Sequence, residues 1–274
     1  MHKAILETKN LTYAYHDGKT ALGGITLSIL HGESVGIIGP NGSGKSTLLM
    51  HFNGILEGDG EVIVGSMPVR KENLKAIRRI VGWLSQQSDD QLFMPTLFDD
   101  VAFGPLNMEL SEAEVRERVD EALRLVGLEH LASRPPHHLS GGEKKAAAIA
   151  AILSMKPQVI LLDEPTNNLD HASRRSLIEF LRELPITKVI VSHDLEMIID
   201  LCPRVVLLDG GRVIADAPST EILGDEGLLK AHRLEAPLSV ILRKEREEQA
   251  GAQGPHGVKS EKGVKRNTLA QEDV

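Results

Sequence analysis

The sequence of 274 residues predicts an α/β fold whose core is a mainly parallel sheet with helices on both faces. Two observations lead to this prediction. Short apolar runs alternate along the chain with segments in which apolar residues recur at helical spacing. The runs are also apolar at consecutive positions, which is typical of strands that are covered on both faces. The strands expected in this core comprise residues 33–38, 79–84, 158–163, 188–191 and 205–208.

Further β segments flank this core. Residues 4–29 contain short runs of alternating polarity around the turn sequence His16-Asp17-Gly18, which predicts an N-terminal antiparallel β subdomain. Residues 61–64 form another strand-like run. Near the other end of the core, residues 212–215 follow the turn sequence Asp209-Gly210-Gly211 and predict a terminal hairpin.

A helical segment interrupts the α/β pattern between about residues 87 and 155. Ser111 and Glu114 match a capping box, in which each side chain caps the backbone N–H of the other residue. Pro135-Pro136 then break the chain before an alanine-rich helix that runs to about Met155. We interpret this segment as a helical subdomain inserted into the α/β domain.

The end of the chain has a different composition. Residues 241–274 are rich in Lys, Glu, Gln, Gly and Asn and contain few apolar residues, so disorder is favoured there. A helix over residues 242–249 is the alternative, although short isolated helices are only marginally stable. The sequence therefore predicts one folded domain, residues 1–240, followed by a charged tail, residues 241–274.

The composition limits the classes of function. The 31 basic and 39 acidic residues give a net charge of −8, which argues against a general nucleic-acid binder, while a local basic patch stays compatible with it. Cys202 is the one cysteine of the sequence, so no internal disulfide is expected, as in a reducing cytoplasm. No signal peptide and no apolar stretch of roughly 20 residues is visible, so we expect a soluble chain.

Residues 39–47 match the pattern G-x-x-x-x-G-K-[ST] of phosphate-binding loops. Glycines let the backbone curl so that successive N–H groups point at phosphate oxygens, and the helix that follows adds its dipole. Lys45 brings a positive charge to the outer phosphates, and the Ser46 hydroxyl can bind Mg²⁺. The candidate nucleotide-binding residues are Gly39, Pro40, Asn41, Gly42, Ser43, Gly44, Lys45, Ser46 and Thr47. This loop predicts binding of ATP or GTP.

Polar residues follow two of the predicted core strands. Open α/β sheets bind ligands at the carboxyl ends of their strands. Asp163 is therefore expected to hold Mg²⁺, and Glu164 is expected to polarise a water against the γ-phosphate. His193 follows the next core strand, which favours contact with the γ-phosphate over a purely structural role.

Ser140, Gly141 and Gly142 stand at the start of the predicted alanine-rich helix. A hydroxyl and two glycines at a helix N-terminus can bind an anion, but the same residues can also form an ordinary N-cap after two prolines. The longer string Leu139-Ser140-Gly141-Gly142-Glu143 favours a second anion site.

The four motifs together resemble those of the ATPase subunits of ABC transporters. They are G-P-N-G-S-G-K-S-T at residues 39–47, L-S-G-G-E at 139–143, V-I-L-L-D-E-P at 159–165 and V-S-H-D at 191–194. The resemblance covers about residues 4–236, and L-S-G-G is specific to this family among P-loop proteins. It implies the P-loop NTPase fold of ABC ATPases, ATP and Mg²⁺ as ligands, and ATP hydrolysis.

The resemblance also implies a role for each matching residue. Glu164 would be the general base, His193 the switch histidine, and Lys45 the cation at the outer phosphates. Gln86 would sense Mg²⁺ and the attacking water, so the implied metal ligands are Ser46, Gln86 and Asp163.

In the implied head-to-tail dimer, ATP lies between the phosphate loop of one subunit and Ser140, Gly141 and Gly142 of the other. Asp170 would belong to the loop that crosses the dimer. Tyr15 would stack on adenine; the alternative is that Tyr15, like the nearby Tyr13, is an ordinary core residue. The partner subunit would be a second copy or a similar ATPase.

A narrower resemblance points to the ATPases of energy-coupling factor importers, particularly the cobalt/nickel type. It rests on D-D-Q-L-F at residues 89–93, on D-D-V-A-F-G-P-L-N at 99–107 and on His137-His138. Adjacent histidines on an extended chain diverge, so the metal is expected to be cargo of a membrane partner. Leu92 and Phe93 are apolar residues in a polar loop and favour an exposed patch for a coupling helix. The implied location is the cytoplasmic face of the cell membrane, as a peripheral subunit without nucleic acid.

Two positions depart from the family pattern. Ala146-Ala147 stand where family members commonly carry an arginine and an aliphatic residue, which removes a possible ion-pair anchor of the signature helix. Asn167-Asn168 stand where many importers have small residues. The string T-N-N-L-D at residues 166–170 is similar to translation-factor ATPases of the same superfamily, which carry two cassettes in one chain.

Three functions stay open at the level of sequence. An importer ATPase is favoured, and cobalt or nickel is preferred over vitamins only by resemblance. A soluble cassette ATPase that acts on ribosomes or nucleic acid would need a second cassette, a basic patch or a coiled-coil insertion. A nucleotide-binding module without turnover is disfavoured by the presence of Glu164 and His193.

Overall fold

The computed structural model describes the backbone of residues 3–252 and the side chains of residues 3–87 and 90–246. The strands in chain order are β1 (Ala4–Ala14), β2 (Thr20–Leu30), β3 (Ser34–Ile38), β4 (Asp59–Val64), β5 (Met67–Pro68), β6 (Val81–Leu84), β7 (Val159–Asp163), β8 (Thr187–Val191), β9 (Arg204–Asp209) and β10 (Arg212–Pro218). The helices are α1 (Lys45–Phe52), α2 (Leu74–Ile80), α3 (Leu97–Asn107), α4 (Glu112–Leu125), α5 (Gly141–Leu153), α6 (His171–Glu183), α7 (Leu195–Leu201), α8 (Ser219–Ile222), α9 (Glu226–Ala231) and α10 (Leu238–Ala252). Short 3₁₀ turns occur at Lys71–Asn73, Ser88–Gln91, Glu129–Leu131 and Pro136–His138.

The core sheet has six strands in the order β10-β9-β3-β8-β7-β6. Neighbouring strands from β9 to β6 pair in parallel, and only β10 joins its neighbour β9 antiparallel. The predicted mainly parallel sheet and the predicted terminal hairpin are therefore confirmed. Because the carboxyl ends of β3, β7 and β8 meet at one edge, the residues that follow these strands come together there.

The two faces of this sheet pack against separate cores, which explains the consecutive apolar residues of its strands. Every residue of β7 and β8 is buried. Ile160 and Ile190 point into a core shared with α5, α6 and α7, whereas Leu161 and Val189 point into a core shared with α1 and the N-terminal strands. Successive strand residues alternate between the two cores, so both kinds of position must be apolar.

The N-terminal sheet has four strands in the order β2-β1-β4-β5. Its strands pair antiparallel, and β1 and β2 form the hairpin that the turn sequence His16-Asp17-Gly18 predicts. This sheet contributes Leu6, Leu22 and Ile25 to the core around α1, so it packs against the first helix after the phosphate loop.

The helical subdomain is present between β6 and β7, as predicted. Its helices α3, α4 and α5 share a third core, to which they contribute Val101, Val119 and Ala147. The capping box at the start of α4 is formed, since the Ser111 N–H donates to Glu114 Oε2 at 3.0 Å. One boundary prediction was wrong, because residues 79 and 80 complete α2 and β6 begins at Val81.

The disorder favoured from residue 241 onward is corrected for residues 241–252, which belong to α10. The alternative helix over 242–249 lies within it. This helix is attached to the domain, since the Ser239 N–H donates to Glu196 Oε1 at 3.0 Å and Lys244 Nζ donates to the Gly224 carbonyl. Such tertiary contacts supply the stability that an isolated short helix lacks. The part of the predicted tail beyond residue 252 lies outside the described residues, and the domain boundary at residue 240 stays a prediction.

None of the helices within residues 3–252 has the length and apolar composition that a membrane span requires.

Candidate active site

The phosphate loop connects β3 to α1 and packs tightly against neighbouring backbone. Gly39 and Gly44 have φ values of +147° and +103°, which side-chain-bearing residues rarely adopt. A Cβ at Gly39 would lie 2.0 Å from the Leu208 carbonyl oxygen, and one at Gly44 would lie 2.5 Å from that of Ala21. These positions therefore need glycine both for backbone conformation and for space.

The N-terminus of α1 is suited to an anion. Gly44 occupies the N-cap and has no side chain with which to cap the helix, and the first turn contains no acidic residue. The backbone N–H groups of the first turn are thus directed toward the loop, and the helix dipole favours negative charge at this end.

Lys45 is held above the loop by the loop's own carbonyl groups. Its Nζ donates to Gly39 O at 2.8 Å and to Pro40 O at 3.0 Å, and the side chain is buried. Burial lowers the pKa of Lys45, while the nearby carboxylates of Glu164 and Asp163 oppose this shift. Burial of a charged ammonium group is unfavourable unless anions lie close to it, so Lys45 is suited to bind phosphate.

Asp163 and Ser46 face each other at the end of β7. The Ser46 side chain is hydrogen-bonded to Asp163, whereas the buried Asp163 Oδ1 has no hydrogen-bond partner within the described residues. Burial raises the pKa of Asp163, and the neighbouring Glu164 adds to this shift. A buried, unpaired carboxylate oxygen beside a hydroxyl fits the oxygen ligands of Mg²⁺. Gln86 lines the same cavity of about 230 Å³, so the predicted metal ligands lie together.

Glu164 is buried and held by the turn that follows β8. Its Oε2 accepts from Ser192 Oγ at 3.1 Å and from the His193 N–H at 3.2 Å. Its Oε1 lies 3.3 Å from His193 Nε2. The Glu164 backbone has φ +49°, a conformation that costs about 1 kcal/mol for such a residue, and such strain clusters at functional sites. The predicted general base Glu164 and the predicted switch histidine His193 are thus in contact with each other, which the sequence did not predict.

Tyr15 lies beside α1 rather than in this cavity. Its hydroxyl is hydrogen-bonded to Thr47 Oγ1 at 3.0 Å, and its ring meets that of Tyr13 edge-on at 5.1 Å between centroids. Tyr15 is 40% exposed, which is compatible with stacking on a ligand. Of the two tyrosines considered, Tyr15 is the one connected to the phosphate loop.

Ser140, Gly141 and Gly142 do not reach the phosphate loop of their own chain. Ser140 caps α5 in a capping box with Glu143 and is exposed, as is Gly141. Gly141 lines a different cavity of about 350 Å³, together with Gln86 and Asn168. Gln86 thus lies between the two cavities, and the N-terminus of α5 faces outward.

Asp170 is also outside the 230 Å³ cavity. It is exposed and caps α6, accepting from the Ser173 N–H at 2.9 Å and the Ser173 hydroxyl at 3.1 Å. These hydrogen bonds lower the pKa of Asp170. Its position at the start of α6 is compatible with the predicted loop that crosses a dimer.

Comparison with known proteins decides the family. The family described as "ABC transporter" matches residues 22–167, more than half of the chain. This chain belongs to the ABC transporter ATP-binding family. A putative ABC transporter ATP-binding protein of Geobacter sulfurreducens is 52% identical over 241 residues, which are 88% of this chain and 97% of the relative.

Relatives of this ABC ATPase include energy-coupling factor proteins. The energy-coupling factor transporter ATP-binding protein EcfA of Methanothermobacter thermautotrophicus is 48% identical over 244 residues, 87% of this chain and 78% of EcfA. Among solved structures, CbiO1 of Clostridium perfringens, described as part of the ABC transporter complex cbiONQ, has a TM-score of 0.76 and 38% identity. The match covers 91% of this chain and 99% of CbiO1. The chain is therefore an ATPase of the energy-coupling factor type.

A second solved structure is an ATP-binding cassette in a dimeric post-hydrolysis state with ADP and Pi. It has a TM-score of 0.70 and 32% identity, and the match covers 78% of this chain and 98% of the cassette. The P-loop fold of ABC ATPases and ATP as the ligand are thereby confirmed.

The structure of this ABC ATPase brings together the phosphate loop, Gln86, Asp163, Glu164 and His193, as the motifs predict. The catalytic and binding roles assigned to these residues stay predictions. Sequence reasoning missed Ser192, whose hydroxyl contacts Glu164, and the Arg174–Asp194 ion pair beside it. The string V-S-H-D contained the signal for Ser192, since it stands directly before His193.

Proposed function

We propose that this chain is the ATPase subunit of an energy-coupling factor importer for cobalt or nickel ions, acting at the cytoplasmic face of the membrane without nucleic acid. The observation that carries the importer role is a groove between α2, α3 and α5, on a face other than the ATP cavity. It combines exposed apolar side chains, charged side chains (Lys75, Arg78, Arg79 and Glu109) and buried polar atoms without a partner among the described residues. The cargo assignment is supported by the motifs at residues 89–93 and 99–107. The similarity to CbiO1 of the cbiONQ complex also supports it.

Hydrolysis is proposed to need positioning and charge rather than covalent chemistry. Lys45 and the N–H groups of α1 would bind the β- and γ-phosphates, and Ser46, Gln86 and Asp163 would hold Mg²⁺. When bound, this ion would neutralise charge that develops on the phosphates. Glu164 would orient the attacking water, while His193, which contacts the Glu164 carboxylate, would also contact the γ-phosphate.

The site is proposed to be half of a composite site. The cavity at the phosphate loop is lined by that loop, the first turn of α1, the carboxyl ends of β7 and β8 with the residues that follow them, and Gln86. Ser140 and Gly142 lie elsewhere on the surface. A second copy, or a similar ATPase, would bring its own Ser140–Gly142 segment onto the bound γ-phosphate. The dimeric state of the related cassette supports this arrangement.

The proposed docking groove has a volume of about 830 Å³. Its apolar residues Phe93, Phe103 and Leu106 are 62%, 45% and 53% exposed, and the two phenylalanine rings meet edge-on at 5.1 Å. Clustered exposed apolar side chains in a concave surface are typical of binding sites for another protein. The patch differs from the predicted one at Leu92, which is half-buried against the cores of the domain.

Three polar atoms that line this groove are buried without a hydrogen-bond partner among the described residues. They are Asn53 Oδ1, Trp83 Nε1 and Asp100 Oδ2. Burial raises the pKa of Asp100, although the N–H groups of Phe93 and Met94 bond its other oxygen. Unpaired buried groups are costly, so a partner would be stabilised here if it supplied N–H donors to Asn53 and Asp100, a carbonyl acceptor to Trp83, and apolar side chains. A helix or loop of a membrane subunit has this chemistry.

The test is assembly with the membrane subunits encoded for this transporter. Phe93→Ser combined with Phe103→Ser is expected to abolish co-purification with the membrane subunits and cobalt or nickel uptake, because the apolar contact is lost. Binding of ATP should be unchanged. Leu125→Ser is the matched control, since Leu125 is 51% exposed but lies on α4 outside the groove.

Uptake of Co²⁺, Ni²⁺ and a vitamin by membranes that contain the assembled complex then tests the cargo. Assembly that survives the double serine change would show that the membrane partner docks elsewhere. Vitamin uptake without metal uptake would contradict the proposed cargo and leave the docking site intact.

A further inference from the structure

One carboxylate beside the hydrolysis site has more partners than a helix cap needs. Asp194 directly follows His193 and caps α7, where its Oδ1 accepts from the Met197 N–H at 3.1 Å. In addition, Arg174 of α6 donates from Nε to Asp194 Oδ2 at 2.6 Å and from its Nη2 to Oδ1 at 2.7 Å. Such a two-point guanidinium–carboxylate contact fixes both distance and orientation.

The same carboxylate also contacts the segment after β7. Thr166 Oγ1 donates to Asp194 Oδ2 at 3.3 Å, and Thr166 is a buried residue two positions after Glu164. Burial raises the pKa of Asp194, but the hydrogen bonds from Arg174 and from the backbone outweigh it, so the net pKa is lowered and the carboxylate is ionised at neutral pH. Asp194 therefore joins the end of β7, the end of β8 and the first turns of α6.

The turn fixed by Asp194 is the turn that holds Glu164. The Asp194 N–H donates to Ser192 Oγ at 3.0 Å, and Ser192 Oγ in turn donates to Glu164 Oε2 at 3.1 Å. The His193 N–H and ring contact both oxygens of Glu164. A displacement of Asp194 would thus be transmitted to the distance between the Glu164 carboxylate and the His193 imidazole.

The other end of this connection lies at residues 167–170. Helix α6 begins after Asp170, and the Arg174 N–H donates to the Asp170 carbonyl at 2.9 Å. Arg174 is therefore one helical turn from the residue predicted to cross the dimer. Its ion pair is about one-third exposed on the arginine side, so a modest effect on stability is expected.

We propose that Arg174 is a positioning residue for ATP hydrolysis, which holds Asp194 so that Glu164 and His193 stay in contact and which connects residues 167–170 to that pair. The proposal rests on the proposed roles of Glu164 and His193. A positioning role differs from a purely structural ion pair, because removal of the Arg174 side chain should alter kcat much more than folding or the affinity for ATP.

The first test compares steady-state ATP hydrolysis by Arg174→Ala, Arg174→Lys and Arg182→Ala. Arg182 is the matched control, because it forms another α6–α7 ion pair, with Arg182 Nη2 at 3.4 Å from Asp200 Oδ2. We expect kcat of Arg174→Ala to fall by about tenfold or more, since small misplacements of catalytic groups have large effects on rate. KM should change by less than about threefold. Arg174→Lys should recover part of kcat with its single charged contact, and Arg182→Ala should match the parent chain.

The second test asks whether Arg174 acts through His193. In a His193→Ala background, Arg174→Ala should not lower kcat any further, because the contact between Glu164 and the His193 ring that Arg174 maintains is already absent. Circular dichroism and the thermal unfolding midpoint of each variant check that the variants are folded under the assay conditions, so that their kcat values can be compared.

The outcomes separate this inference from the function on which it rests. If His193→Ala retains the parent kcat, the proposed role of His193 is wrong. If His193→Ala has a lowered, measurable kcat but Arg174→Ala is as active as Arg182→Ala, only the Arg174 inference is overturned. The inference would also be overturned if Arg174→Ala lowered kcat by the same factor in the parent chain and in the His193→Ala background.

Discussion

Gly39→Ala is the substitution whose effect the structure specifies most closely. The new Cβ would lie 2.0 Å from Leu208 O and 2.9 Å from Ser43 Oγ. Because non-bonded heavy atoms reach their optimal separation at roughly 3.5 Å, the loop or β9 must move by about 1.5 Å. The carbonyl belongs to the core sheet and is buried, so the phosphate loop is the part expected to move.

Two terms contribute to the loss of stability. Overpacking in a well-packed region costs about 1–3 kcal/mol, and the unfavourable positive φ adds about 1 kcal/mol. The free energy of unfolding should therefore fall by about 2–4 kcal/mol. The same displacement moves the N–H groups away from the phosphates, so the Kd for ATP is expected to rise by about 100-fold, equivalent to about 2.7 kcal/mol.

Gly127→Ala is the matched control for Gly39→Ala. Gly127 also has a positive φ, +73°, but among the described residues, its two chain neighbours aside, no atom lies within 4 Å of the position that its new methyl group would occupy. It should lose only about 1 kcal/mol and bind ATP normally. Urea unfolding and isothermal titration calorimetry with ATP measure both quantities. Equal midpoints and equal ATP affinities for the two variants would refute the steric reasoning for Gly39.

Two further predictions concern buried positions. Burial raises the pKa of Asp163 above its ordinary value of 3.8, so ionisation destabilises the folded chain increasingly as the pH rises through that range. Asp163→Asn should therefore unfold at a higher urea concentration than the parent at pH 7, and the difference should shrink toward low pH. The variant should lose hydrolysis in the presence of Mg²⁺. A variant less stable than the parent at pH 7 would contradict the burial argument. Gly82→Ala places a Cβ 2.1 Å from Ile152 Cγ2 and should lower the free energy of unfolding by about 1–3 kcal/mol without changing the Kd for ATP. Loss of ATP binding in that folded variant would show that strain at β6 reaches the phosphate loop.

Local sequence patterns were sufficient to predict the phosphate loop and the site residues that follow the core strands. The loop and its flanking strand and helix are contiguous in sequence, and parallel strands bring Asp163, Glu164 and His193 to the same edge of the sheet. Once the strands were placed correctly, these residues had to meet. The capping boxes at Ser111 and Ser140 are local in the same sense.

Features that depend on distant contacts could not be predicted in this way. The Arg174–Asp194 pair joins residues that are 20 positions apart on different elements. Helix α10 depends on Glu196 and Gly224, and composition alone favoured disorder there. Exposure in the docking groove was also misjudged at Leu92, because a polar stretch of sequence does not show which of its apolar side chains turns inward.

The second anion site that the sequence predicts also depends on contacts that a single chain does not contain. The motif L-S-G-G predicts an anion site at Ser140, yet this residue caps an outward-facing helix end and does not line the cavity beside Lys45. The described chain therefore supplies both halves of the proposed site on different surfaces. We propose that association with another subunit brings them together.

The specific ATPase activity of the purified chain, measured as a function of its concentration, tests this composite site most directly. We predict that activity per chain rises with concentration, and that Ser140→Arg abolishes it without unfolding the protein. Ser111→Arg, which removes the equivalent capping box at the exposed start of α4, should leave the activity unchanged. An activity per chain that is independent of concentration and persists in Ser140→Arg would contradict the central claim that one chain carries only half of a hydrolysis site.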